Sequence, residues 1–98
     1  MTREVSFHPL AEQELNDTAS YYNAASPGLG AMFLTEAEHA IKQIREHPNA
    51  APVVSGEVHR KLLRRFPYSV MYSVRTDMIR ILAIANQKRR PFYWRGRT

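Results

Sequence analysis

Residues 58–65 (VHRKLLRR), 68–75 (YSVMYSVR) and 78–86 (MIRILAIAN) decide the architecture. Their side chains follow a period of two, as expected where successive residues point to opposite faces of a sheet. They read as three strands, the last two joined by a tight turn at Thr76-Asp77, and together as an antiparallel meander. In the middle strand Tyr68, Val70, Tyr72 and Val74 share one face. The third strand is apolar on both faces after Arg80, which places it inside the sheet.

Upstream the period changes. Residues 3–7 (REVSF) alternate as a short opening strand, and Pro9 sits where a first helical turn tolerates it. Leu10, Leu15, Ala19 and Tyr22 then form an apolar stripe to about residue 24, with Glu12, Glu14, Asn16 and Asp17 expected on the wet side. Ser26-Pro27-Gly28 breaks that helix, with Ser26 expected to cap the next and Pro27 to open it. In the second helix Phe33, Leu34, Ala37, Ile41 and Ile44 keep the helical period until Pro48, and Arg45 and His47 complement the dipole at its end. Residues 48–57 (PNAAPVVSGE) read as an irregular connection. The expected fold is α+β, ordered β-α-α-β-β-β, with a helical hairpin packed on one face of a small, mainly antiparallel sheet. The other face is expected to stay partly open, with strand-borne cations gathered there.

Ninety-eight residues, 44% hydrophobic, fit one domain spanning 1–98. The net charge of +5 conceals a division. Residues 1–59 carry three cations and eight acids, whereas residues 60–98 carry eleven cations and the single acid Asp77, with a basic tail over 87–98. A surplus of ten positive charges in 39 residues creates a field suited to an anionic partner. Eleven of the fourteen cations are arginine, the side chain suited to bidentate phosphate or carboxylate contacts. Cysteine is absent, which removes disulfides and thiolate chemistry and suits a cytoplasmic location. No apolar run approaches the roughly 18 residues that span a bilayer, and the charged N-terminus lacks a signal peptide's apolar stretch, so no membrane partner is expected.

The familiar catalytic patterns do not assemble. His8, His39, His47 and His59 lack metal-ligand spacing, so neither a metal nor another cofactor is expected. The carboxylates lie almost entirely on the helices, leaving no evident pair for acid–base hydrolysis, and PGLG is not a phosphate-binding loop. What remains is the segment 86–97 (NQKRRPFYWRGR), five cations around Phe92, Tyr93 and Trp94. That mixture suits nucleic acid, where rings stack on bases, and equally a protein hot spot, where Arg, Tyr and Trp dominate. The same aromatics also suit a tail folded back over the sheet.

Tyr21-Tyr22 late in the first helix, PGLG followed by Phe33-Leu34, FPY with Tyr72 beyond it, and the tail RRPFYW together form a familiar pattern. Over nearly its whole length the chain resembles the RelE/ParE toxin superfamily, nearest the ParE-like plasmid-stabilisation branch. The resemblance implies the toxin of a type II toxin–antitoxin system, held inactive by a cognate antitoxin whose C-terminal segment wraps it. Operator DNA would be met only indirectly, through the antitoxin.

Two activities occur in that superfamily. RelE-like members cut messenger RNA in the ribosome, and ParE-like members are associated with inhibition of DNA gyrase. The nuclease branch often has Arg after the tyrosine opening the middle strand, lysines alternating on the strand before, and His ending the last strand. Here Ser69, the run Arg60-Lys61-Leu62 and Asn86 stand at those places. The expectation is therefore a gyrase inhibitor in which Arg60, Arg64, Arg65, Arg89, Arg90 and Arg95 contact target or antitoxin, while Tyr93 and Trp94 contact the partner or anchor the tail. The alternatives are an endoribonuclease relying on Arg89 and Tyr93, and a non-toxic relative that keeps only antitoxin binding.

Overall fold

The computed structural model describes residues 3–98. Its elements are β1 (Glu4–Phe7), α1 (Pro9–Ala25), α2 (Leu29–Glu46), β2 (Val53–Ser55), β3 (Val58–Leu62), β4 (Tyr68–Val74) and β5 (Met78–Asn86). The sheet order is β1-β5-β4-β3-β2, with β1 parallel to β5 and every other pair antiparallel. The meander and the helical hairpin are as the sequence implied. The apolar β5 lies inside the sheet, between β1 and β4.

The entry to α1 is set by His8, whose Nδ1 accepts from the Leu10 amide at 3.1 Å, with Pro9 in the first turn. Between the helices the expected cap moves. Ser26 terminates α1, its amide donating to Tyr22 O at 3.0 Å, and α2 begins at Leu29 behind Gly28 with no side-chain cap. The reason is Gly28 itself: at φ 89° it occupies the left-handed region that favours glycine. This turn lets the hairpin close tightly, and a Cβ on Gly30 would lie 2.3 Å from the Ala19 carbonyl oxygen.

The core between helices and sheet is built on Phe33, which meets Phe66, Tyr68 and Tyr22 at centroid distances of 5.2, 5.5 and 5.6 Å. Val70, Tyr72, Ile79, Ile81 and Ile84 complete it from the sheet. The connection 48–57, expected to be irregular, contains the short strand β2. Two side chains tie down the approach to it: the Tyr72 hydroxyl donates to Pro48 O at 2.7 Å, and His59 Nδ1 donates to Ala51 O at 2.7 Å. Their rings stack at 5.0 Å and 12°.

Beyond Leu62 the chain bends away to Pro67. Glu36 on α2 holds the bend, its Oε2 accepting the amides of Arg64 at 2.7 Å and Arg65 at 2.9 Å. The second face of the sheet is not left open as expected. Trp94, 6% exposed, packs there with Met71, Ala83 and Ala85, with Tyr93, Val54 and Val58 at the margin. The apolar area of the indole, removed from water, outweighs leaving that face to the cations. Among the described residues no helix is long and apolar enough to cross a membrane.

Candidate functional site

The tail leaves β5 through a compact set of turns. Arg89, Arg95 and Arg97 donate their amides to Asn86 O, Phe92 O and Trp94 O at 2.9–3.1 Å. These turns wind around a residue of α1. Glu14 accepts Arg97 at two points, Nη1 to Oε1 at 2.9 Å and Nη2 to Oε2 at 3.1 Å, and also accepts the Tyr93 hydroxyl at 3.0 Å and the Ile84 amide at 3.1 Å. Arg89 Nη1 stands 4.0 Å from the same carboxylate. The Tyr93 ring also bears Arg89 at 4.0 Å and Arg97 at 5.2 Å from its centroid.

Glu14, expected on the wet side of α1, is instead turned inward: its side chain is 17% exposed and that of Arg97 13%. The helical period records position relative to neighbours on the same helix. The partners of Glu14 lie in β5 and the tail, so nothing local in the sequence marked it. Arg97 was likewise not among the expected site residues.

The arginines expected to act together divide between two grooves. One, of about 850 Å3, runs between α2 and the end of β3, and takes Arg64 and Arg65 with Lys61, Met32 and Leu62. The other, of about 360 Å3, lies between the sheet's second face and the tail, and takes Arg60, Arg89 and Arg90 with Phe92 and Leu62. Leu62 lines both. Arg95 sits over the Phe92 ring at 4.7 Å. Tyr93 and Trp94 are packed inward, as anchors of the tail.

One backbone position is strained. Phe92 has φ 61°, the only non-glycine residue with positive φ among those described, and a bulky side chain there costs about 1 kcal/mol or more. The flanking anchors hold it: Tyr93 through Glu14, and Trp94 through its burial against the sheet.

The chemistry open to this site follows from Tyr93. Burial, then the nearby Glu14 charge, then the hydrogen bond to Glu14 push its phenol pKa well above the usual value, and the two arginines only partly oppose this. The hydroxyl donates to Glu14 in this arrangement. Arg89 and Arg90 remain able to bind anions, but charge stabilisation alone supplies no proton transfer.

A helical hairpin on a mixed five-stranded sheet, with a basic tail clasped across the second face, defines a small α+β protein that presents cations in two grooves. Residues 5–91 match the family described as the ParE toxin of type II toxin–antitoxin systems, parDE, and the chain belongs to that family. It is similar to Toxin ParE2 of Mycobacterium tuberculosis, in both strain CDC 1551 / Oshkosh and strain ATCC 25618 / H37Rv, at 29% identity over 92 residues, covering 93% of this chain and 88% of the relative. In fold it is similar to a chain of the chromosomal ParDE TA system from P. aeruginosa, with a TM-score of 0.76 and 19% identity, covering 87% of this chain and 96% of that one.

Proposed function

We propose that this ParE-family toxin inhibits DNA gyrase in the cytoplasm through its clasped basic tail, and that a cognate antitoxin neutralises it. The observation that carries the reading is the fixation of Tyr93 on Glu14. The tail is pinned to Glu14 through Tyr93 and Arg97, with Arg90 and Arg95 exposed, while the Tyr93 phenol is engaged in a structural bond. A rigid, cation-rich surface favours binding, because little conformational entropy remains to be lost when a partner docks. The endoribonuclease alternative requires Tyr93 to move a proton, which its bond to Glu14 opposes.

For the antitoxin, the groove between α2 and the end of β3 is the better fit. Exposed Met32 and Leu62 offer apolar contact, and Lys61, Arg64 and Arg65 a basic rim, complementary to an acidic segment that carries apolar side chains. Contact with operator DNA would run through the antitoxin. The test is a gyrase supercoiling reaction with purified toxin, alongside a translation reaction in which message integrity is followed. Supercoiling should be lost with messages intact, and added antitoxin should restore it; normal supercoiling under excess toxin sinks the reading.

A further inference from the structure

We infer that Phe92 is the ring this toxin seats in its target, and that the surface around it fits an apolar pocket rimmed by carboxylates on a partner protein. This rests on the toxin reading above and names the surface through which it acts.

The first observation is the mismatch between residue and backbone. The other positive-φ positions among the described residues are Gly28, Gly56 and Gly96, the residue type that such a conformation favours. At Phe92 the chain carries a large side chain in the same region, at 61°, and leaves it 40% exposed. The ring is only partly covered, by Arg95 and Trp94, and a substantial apolar area stays in water on a backbone that a glycine would satisfy better. Such strain, held in place by its surroundings, is characteristic of binding positions.

The second observation is the neighbourhood. Leu62, 52% exposed, lines the same cleft, with Arg60 and Arg90 on its walls and Arg95 stacked on the ring. An exposed ring and a leucine collared by three arginines have the composition of a protein hot spot, an apolar centre inside a charged rim. A nucleobase stack fits less well. Arg95 covers one face of Phe92, and Trp94 meets the ring at 5.7 Å and 66°. A pocket that receives a ring by its outer edge, with acids placed to meet Arg60, Arg90 and Arg95, has no such conflict.

The test uses the full chain with Phe92→Gly and Phe92→Tyr. Glycine relieves the backbone but removes the ring's contacts with Arg95 and Trp94 and loosens the unfolded chain, so the effects offset and the variant should melt within roughly 4 °C of wild type. Its antitoxin affinity should stay within about threefold, while gyrase inhibition and growth arrest on expression weaken by at least about tenfold. Phe92→Tyr should retain both activities. Wild-type inhibition and arrest by Phe92→Gly overturns the inference, and so does a loss accompanied by a melting temperature lowered well beyond that range, which would make the ring structural. Loss of oligothymidylate binding by Phe92→Gly with gyrase binding intact also overturns it, in favour of base stacking. If the wild-type toxin spares supercoiling but arrests growth, and Phe92→Gly relieves the arrest, the gyrase reading fails and the Phe92 surface stands. A wild-type chain that does neither removes both.

Discussion

Glu14 on α1 and Arg97 near the end of the tail, 83 positions apart, form a two-point ion pair at 2.9 and 3.1 Å. The pair joins the chain's acidic first half to its basic second half at a single carboxylate. This contact and the burial of Trp94 together fix the tail across the second face of the sheet, with Phe92 beside them. Both side chains of the pair are mostly buried, so removing one partner leaves the other a poorly solvated charge.

Glu14→Gln keeps the shape of the side chain and removes its charge. The expected loss is about 2 kcal/mol, below the 3–5 typical of a fully buried pair because both groups retain some water. The Trp94 emission should shift toward that of an exposed indole, and tail amides should exchange faster than those of β4 and β5. Unchanged emission and exchange would show that Trp94 burial alone holds the tail.

The helices and the meander were legible in the sequence because their signals are local: a 3.6 period with proline boundaries at Pro9 and Pro48, and alternation around Thr76-Asp77. The elements that escaped depend on distant groups. Strand β2 is placed by Tyr72 and His59 reaching back to Pro48 and Ala51, and Glu14 is turned inward by partners from Ile84 to Arg97. Charge partition announced a basic half, yet not that Arg60 and Arg64 would face different grooves, because the bend at Leu63–Pro67 decides that. Phe92 carried no sequence signal distinguishing it from Tyr93 and Trp94. Only the backbone angle did.

Gly30 lies where α2 passes close against the backbone of α1. Its missing side chain admits the Ala19 carbonyl, and a methyl group would stand 2.3 Å from that oxygen and 2.9 Å from Asn23 Cβ. The Ala19 carbonyl is backbone and Asn23 Cβ is fixed directly to backbone, so neither is the flexible end of a side chain, and Gly30→Ala should cost about 2–3 kcal/mol despite alanine's better helix propensity. Chemical denaturation checks this; a neutral or stabilising effect would mean that the hairpin separates at small cost.

Three tyrosines tie stability to alkaline pH. Burial raises the pKa of Tyr22 and Tyr72 above the usual 10.0, and burial together with Glu14 raises that of Tyr93. Because the folded values exceed the unfolded one, the stabilisation from these groups is full below about pH 10 and declines as pH rises through the folded values. Tyrosinate absorbance for these rings should therefore appear late and together with loss of far-ultraviolet helix signal. Ionisation of these three rings near pH 10 with the fold intact contradicts this.

The two grooves predict that antitoxin and target effects separate by residue. Arg64 and Arg65 lie in the groove assigned to the antitoxin, anchored through their amides to Glu36, so their side chains are free to meet acids. Arg64→Ala with Arg65→Ala should slow antitoxin association several-fold at low salt, converging on wild type at high salt as screening shortens the field. Arg60, across the sheet beside Phe92, should instead weaken gyrase inhibition and leave the antitoxin on-rate nearly unchanged. Stopped-flow association at two ionic strengths, with supercoiling titrations on the same proteins, measures both. Equal effects of the Arg60 and Arg64/Arg65 changes on both readouts would mean that the basic half acts as one undivided field, and the assignment of separate grooves would fall.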